Sequence, residues 1–563
     1  MPDILPTLTL RQLLENSHKK YGDRPALSWV GQEPLSFRDV YESAKTLSLW
    51  LEQQGVGFGD RVAILAENCP HWGVAYFAVT GMGAVVVPIL TEFHPEAIQY
   101  IIRHSEAKVV FVTEKLYSKV EDASFDPAPL FVNLETFQPM EQGITRDMIR
   151  QMKEAGLREF RKWRESFLRM TSPVPVEPGE EDVAAVIYTS GTTGHSKGVV
   201  LTHRNIVSNA VGIRHFFELD STDRLLSVLP MPHTYECTLG LVLPMLHGAH
   251  VHYLDKPPTA RVLLPAMAEV KPTAILVVPL LLEKIYRGSI LPKLTRTAFL
   301  RFIYRFDVVR RFLHRMAGKK MLETFGGELR VCAIGGAAVA PDAELFLREA
   351  QFPYIVGYGL TEGSPLCAAS RLENTRYLST GYAMPGISLR IAEPDENGEG
   401  ELLAIGPNIM REYHKSPLGT AETLTEDGWL RTGDLAKIDK DGYVFIKGRS
   451  KNLILGPSGE NIYPEEVEAI IGQSPYVLES LVFQHEGRLY ARVHLDQARL
   501  DEEFADLSVE DMDNKTTELL EKLRQEVNGK VSSFIRIQTM IRQPEPFEKT
   551  PTQKIKRYLY LGL

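Results

Sequence analysis

Short, uninterrupted apolar runs alternate along this chain with longer amphipathic stretches. RVAILA (61–66), KVVFVT (108–113), AAVIYTS (184–190), TAILVVP (273–279) and LRVCAIGG (329–336) are continuous in their hydrophobicity. Such continuity predicts strands buried on both faces, as in parallel sheets covered by helices, and the segments between them are long enough for crossover helices. The run WGVAYFAVTGMGAVVVPIL (72–90) imitates a membrane span, but Gly81, Gly83 and Pro88 interrupt it. It predicts a buried helix running into a buried strand. A further helix is expected after residue 202, with Ile206, Ala210, Ile213 and Phe217 on one face and Thr202 or Asn205 as its cap.

From about residue 380 the pattern changes. Hairpin turns are expected at Asp395-Glu396-Asn397-Gly398, at Asp441-Gly442 and at Glu486-Gly487, and Pro464 suits the first turn of a helix. The chain therefore reads as an α/β protein in two parts. A large N-terminal domain of layered α/β sheets with a small β-rich subdomain spans 1–447, and a smaller α+β domain spans 448–563.

Composition narrows the class without identifying it. The 563 residues are 44% hydrophobic and 24% charged with a formal net charge of −9, which fits a large globular protein and argues against general nucleic-acid binding. Cys69, Cys237, Cys332 and Cys367 lie far apart, without metal-ligand spacing, as expected in a reducing cytosol. The first twenty residues lack a basic stretch followed by a long apolar run, so the expectation is a cytoplasmic protein without a signal peptide.

The candidate chemistry begins at YTSGTTGHSKGVVLTH (188–203). Thr189, Ser190, Thr192, Thr193 and Lys197 surround Gly191, Gly194 and Gly198. Glycine allows backbone N–H groups to turn toward a ligand, hydroxyls add donors and lysine adds a point charge, a combination suited to phosphate. It is not a Walker A loop, because Ser196 precedes the lysine and Gly198 follows it. Four more stretches follow in order: GYGLTEGSP (357–365), GWLRTGDLAKID (428–439), GRSKNLILGPSGENIYPEEVE (448–468) and KTPTQKIKRYLY (549–560).

With these residues the chain resembles the adenylate-forming superfamily of acyl-CoA synthetases, aryl-CoA ligases, luciferases and peptide-synthetase adenylation domains, over most of its length. LPMPHTYE (229–236), VPLLLEKIY (278–286) and KTPTQKIKR bring it closest in look to long- or medium-chain fatty acyl-CoA synthetases. The resemblance implies two half-reactions. A fatty acid carboxylate attacks the α-phosphate of ATP, giving acyl-AMP and pyrophosphate; the thiol of coenzyme A then displaces AMP. A mobile C-terminal domain rotates between the two steps.

The same resemblance assigns the residues. Thr189, Ser190, Gly191, Thr192, Thr193, Gly194 and Lys197 would hold the β- and γ-phosphates. Gly335, Gly336 and Ala337 would line the adenine, with Tyr358 against its face and Gly359 in the same turn. Thr361 would bond the α-phosphate and Glu362 would hold Mg2+. Asp434 would accept the ribose hydroxyls, assisted by Arg449. Lys451 would be the hinge, Gly459 would line the thiol tunnel, His233 would lie beside the acyl carboxylate, and Lys554 would neutralise charge during adenylation. Gln553 stands where many relatives have glycine, which leaves Lys549 and Lys556 as substitutes for Lys554. His195 stands where many have a small residue or proline; it is expected to point outward and has no assigned role.

Leu280, Leu281 and Leu282, with the apolar face after residue 202, would form an acyl tunnel or simply pack in the core. The alternatives are an acyl-acyl-carrier-protein synthetase or an aryl-CoA ligase using the same adenylation residues, and a catalytically silent lipid-binding or scaffold protein. One segment remains. Residues 287–320 hold ten Lys or Arg and one acid, Asp307, with Phe299, Phe302, Ile303, Tyr304, Phe306, Val309 and Phe312 interleaved. A basic amphipathic helix of this kind suits weak peripheral contact with an anionic membrane. The other reading is that the aromatics pack inward while the cations face solvent or coenzyme A phosphates.

Overall fold

A computed structural model describes residues 5–140, 177–189, 196–455, 461–504, 509–532, 535–550 and 554–562. Two seven-stranded sheets dominate it. One runs in the order Tyr354–Val356, Val331–Ile334, Ala274–Val277, Arg224–Ser227, His250–Tyr253, Pro25–Trp29, Leu35–Ser36. All its neighbours are parallel except the last pair. The other runs Glu412–Tyr413, Lys197–Thr202, Val183–Thr189, Val85–Pro88, Arg61–Leu65, Ala107–Val112, Leu130–Asn133. Each of the five apolar runs singled out in the sequence is a strand of one of these sheets.

The second sheet is parallel only in part. Val183–Thr189 pairs antiparallel with Lys197–Thr202, with Thr189 opposite Lys197, and Lys197–Thr202 pairs antiparallel with Glu412–Tyr413. The Ser/Thr/Gly stretch thus joins two antiparallel strands, and the expected helix begins only at His203. Its cap is reciprocal. The Asn205 N–H donates to Thr202 Oγ1 and the Thr202 N–H donates to Asn205 Oδ1, so both expected candidates act together. The imitation of a membrane span resolves as the helix Pro70–Gly81, buried along most of its length, and the strand Val85–Pro88. No described helix is long and apolar enough to cross a membrane.

Beyond these sheets the chain turns antiparallel. A four-stranded sheet, Ser388–Ala392, Glu399–Ile405, Leu430–Ile438 and Val444–Arg449, carries the hairpins read at 395–398 and 441–442. Its last strand runs past residue 448 and ends at Arg449, where the turn Ser450–Asn452 leaves the sheet. The remaining chain builds its own three-stranded sheet, Val477–His485, Arg488–Leu495 and Ile537–Arg542, against the helices Pro464–Ile471 and Val509–Asn528. Val467, Ile471, Val482, Ala491 and Val493 form a separate core there.

Candidate active site

The site assembles where the four-stranded sheet, the turn after Tyr358 and the last residues of the chain meet. Asp434 and Arg449 lie opposite each other on neighbouring antiparallel strands. Arg449 Nε is 2.8 Å from Asp434 Oδ1, and the Tyr358 hydroxyl donates to Asp434 Oδ2 at 2.7 Å. The Asp434 N–H is held by Thr432 Oγ1 at 3.1 Å. Asp434 is only 5% exposed. Burial pushes its carboxyl up, while Arg449, the Tyr358 hydroxyl and Lys554 pull it back. A carboxylate offers about four acceptor positions. With two of them taken, this one can still accept a pair of hydroxyls.

The turn carrying Thr361 and Glu362 is held from several directions. Tyr358–Gly359 pairs antiparallel with Leu366–Ala369. A Cβ at Gly359 would come within 1.9 Å of the Pro365 carbonyl oxygen, so only glycine permits this reversal. Asn209 Nδ2 and Asn408 Nδ2 both donate to the carbonyls of Gly363 and Leu366. Asn205 Nδ2 donates to Pro407 O and Ile409 O, and the Met410 N–H donates to Glu362 O. Three buried amides therefore fix the position of Glu362.

The Glu362 carboxylate accepts a 2.7 Å hydrogen bond from the Tyr413 hydroxyl. The Lys197 ammonium lies over that same ring, 4.9 Å from its centroid. Magnesium is held by oxygen ligands, commonly one or two carboxylates with substrate phosphates. Glu362, oriented by Tyr413, is a carboxylate of the kind such an ion takes, and Lys197 lies over the same tyrosine ring. Sequence reasoning missed Asn205 in this clamp, and also Asn209, Asn408 and Tyr413. The asparagines look like ordinary polar residues, and REYHKSP has no periodicity that marks Tyr413.

Lys554 reaches this group from the other end of the chain. The Thr550 N–H donates to the Lys554 carbonyl, and the Lys554 N–H donates to Thr550 Oγ1. Lys554 is exposed, yet its pKa lies below the ordinary lysine value. Desolvation lowers its pKa first and Arg449 lowers it further, against the opposing pull of Asp434 and Glu362. The two substitutes are engaged elsewhere: Lys549 pairs with Glu479, and Lys556 pairs with Glu548 at 3.3 Å.

His233 caps a short helical turn, its Nδ1 accepting from the Tyr235 N–H at 3.2 Å. Burial, with Lys554 adding to it, pushes the ring down to about 4. The ring is therefore neutral near pH 7, and its proton sits on Nε2. The turn itself is braced by Asn68, which donates to Ser227 Oγ and Leu229 O and accepts from the Met231 N–H. Ser227 in turn donates to the buried Glu236, whose carboxyl burial pushes up to about 8.

Gly335 closes the end of the strand Val331–Ile334 against the Tyr235 ring, while Gly336 and Ala337 are exposed. Gly336 has φ +85°, and the nearest side chain to a Cβ there is Val278. Lys451 sits in the turn Ser450–Asn452. Ser190, Gly191, Thr192, Thr193, Gly194, His195, Gly459 and Gln553 lie outside the described residues. The apolar residues suggested for a tunnel divide: Ile206, Ala210 and Ile213 pack in the main core, Leu282 packs in the second core, and Leu280 is exposed.

Comparison with known proteins bears on the family and the fold. The model of the family described as AMP-binding enzyme matches residues 14–414. Long-chain-fatty-acid–CoA ligase FadD15 from Mycobacterium bovis is 30% identical over 468 residues, covering 78% of this chain and 73% of its own. Long-chain-fatty-acid–CoA ligase 1 from Cavia porcellus is 29% identical over 491 residues, 82% of this chain and 68% of its own. Among solved structures, ATP-bound MatB from Rhodopseudomonas palustris aligns with a TM-score of 0.75 at 22% identity, over 98% of each chain. A benzoate CoA ligase from Burkholderia xenovorans aligns with a TM-score of 0.74 at 20% identity, over 98% of this chain and 100% of that one. These two likenesses establish the fold, the mixed α/β architecture expected from the sequence. With the family model matching most of the chain, the protein belongs to the AMP-binding enzyme family.

Proposed function

We propose that the protein is an AMP-forming fatty acid–CoA ligase. The observation that carries this reading is the buried Asp434 carboxylate, held by Arg449 and Tyr358 with acceptor positions to spare, whose charge and that of Glu362 act on Lys554, near the chain's end. The likeness to proteins named long-chain-fatty-acid–CoA ligases supports the fatty acid as substrate.

In the first half-reaction a carboxylate oxygen forms a bond to the α-phosphorus of ATP, and the bond to the pyrophosphate oxygen breaks. Such a displacement needs positioning and charge stabilisation rather than a protein nucleophile. Asp434 would hold the ribose hydroxyls, and the Lys554 ammonium would neutralise charge on the α-phosphate and carboxylate oxygens. His233 Nε2–H would donate to an oxygen of the acyl group. Thr361 would bond the α-phosphate, and Lys197 would meet the outer phosphates. Mg2+ on Glu362 would supply counter-charge to the phosphates.

In the second half-reaction the sulfur of coenzyme A bonds to the acyl carbon and AMP leaves with the electron pair of the broken C–O bond. Lys554 belongs to the adenylation step. We therefore assign the chain beyond Lys451 as a unit that turns about that residue and brings Gly459 toward the thiol. We assign the enzyme to the cytoplasm, in peripheral contact with a membrane surface through residues 287–320.

The test is product analysis with ATP, Mg2+, a long-chain fatty acid and either coenzyme A or an acyl carrier protein. Equal amounts of acyl-CoA, AMP and pyrophosphate are expected. Thioester formed only on the carrier protein would replace coenzyme A as acceptor, and ADP as product would overturn the reading.

A further inference from the structure

The segment 287–320 turns its four phenylalanines outward. Phe299 is 70% exposed, Phe302 58%, Phe306 53% and Phe312 62%, and Val308 and Met316 stand out beside them. Val308, Phe312 and Met316 recur every four residues on the helix Asp307–Thr324, so they form one stripe. Phe302, from the preceding helix Ala298–Ile303, and Phe306, at the cap of this one, extend it, their rings 5.5 Å apart. Arg311, Arg315 and Lys319 form an exposed stripe alongside, and Arg301 and Arg305 are exposed at the other end. Among the described residues, none of Arg301, Arg305, Arg315, Lys319 and Lys320 has an ion-pair partner within 4.0 Å.

The opposite face is pinned by a polar network. Arg310 makes two hydrogen bonds to Glu349, at 3.0 and 2.7 Å, and His314 Nδ1 lies 2.8 Å from the same carboxylate. Tyr304 OH meets His314 Nε2 at 2.7 Å and Tyr286 OH at 3.3 Å. Tyr286 stacks on Phe346, in the helix Pro341–Glu349. Tyr304 and Arg310 therefore serve the fold and not the surface, and the network holds the aromatic stripe outward.

A contiguous apolar ridge is uncommon on a soluble surface and marks something that covers it. We infer that this ridge is a membrane-docking face whose occupant is an anionic lipid bilayer. Charge complementarity selects that occupant. Cations flank the ridge, and a second copy of the chain would bring the same positive charge against it. Aromatics flanked by arginine and lysine match the boundary between headgroups and acyl chains, with rings buried and cations at the phosphates. This deepens the peripheral location proposed above. Its test contains no fatty acid or ATP, so its outcome is separate from that of the ligase reading.

The experiment is flotation of the full-length protein with vesicles of phosphatidylcholine alone or mixed with phosphatidylglycerol. Two triple variants are compared, Phe302→Ser/Phe306→Ser/Phe312→Ser and Arg301→Gln/Arg305→Gln/Arg315→Gln. Phe302→Trp reports insertion by its emission. Wild type should bind the anionic vesicles, less tightly as salt rises, and each triple variant should lose about tenfold or more in partitioning. The emission of Phe302→Trp should shift to the blue on binding. The proposal is overturned by absent binding, by binding indifferent to lipid charge or to the arginine changes, by an unshifted emission from the Phe302→Trp variant, or by light scattering showing that the ridge instead joins two copies of the chain.

Discussion

The Tyr413 hydroxyl donates a 2.7 Å hydrogen bond to Glu362, joining a residue of the edge strand Glu412–Tyr413 to the turn that follows Tyr358. The Lys197 ammonium lies over the same ring, so one tyrosine joins the strand Lys197–Thr202 to the Glu362 carboxylate. Tyr413→Phe keeps the ring under Lys197 and removes only the hydrogen bond. A hydrogen bond to a charged group is worth roughly 1.5–3 kcal/mol. Adenylation should fall about tenfold, with a higher Mg2+ requirement, and Glu362→Gln should show the same shift more strongly. Normal pyrophosphate exchange across a Mg2+ titration in both variants would leave Glu362 a structural residue.

Lys554 carries a pH signature. Its folded pKa is below the ordinary lysine value, so the ammonium is lost at lower pH than on a free lysine. The alkaline limb of adenylation should begin below the ordinary value of about 10.4. Lys554→Arg, which stays charged, should move that limb upward in whatever activity remains. Lys554→Ala should depress acyl-AMP formation strongly while sparing thioester formation from supplied acyl-AMP. Equal losses in both half-reactions would contradict the assignment.

Several histidines are buried neutral. Burial pushes His71, His203, His247 and His252 down to about 4 and His250 to about 3. Their folded pKa values lie below the unfolded value of about 6.5. On acidification the unfolded chain takes up protons first, so stability falls as pH drops from about 6.5 toward 4. Thermal melts from pH 7 to pH 5 should show a falling midpoint. A buried position accepting a neutral isostere, as in His203→Gln, should lessen the slope.

Gly359→Ala tests the turn that carries Thr361 and Glu362. Its methyl would collide with the Pro365 carbonyl, so the reversal must open. A lower melting temperature together with loss of adenylation is expected. A variant with wild-type stability would show that the backbone there is not tightly constrained.

Much of this was readable from the chain because local rules agreed with the fold. The five apolar runs became strands, Pro464 opened its helix, and Thr202 and Asn205 formed one capping pair. Asp434 and Arg449, named from separate stretches, meet across one antiparallel ladder. What stayed hidden depends on contacts distant in sequence. Tyr413 reaches Glu362 only because its strand adds to the edge of Lys197–Thr202. Arg310 looks identical to Arg311 in sequence, yet it turns inward to Glu349. Apolar residues after 202 read as tunnel or core, and Ile206, Ala210 and Ile213 pack in the core.

A fatty acid carboxylate activated as its adenylate can return pyrophosphate to ATP before any thiol arrives. The most direct measurement is ATP–pyrophosphate exchange over a panel of carboxylic acids of differing chain length and shape, with no thiol present. Exchange that depends on fatty acids and is strongly reduced in Lys554→Ala is predicted. Exchange supported only by aryl or amino acids, or no exchange with any acid, would contradict the account.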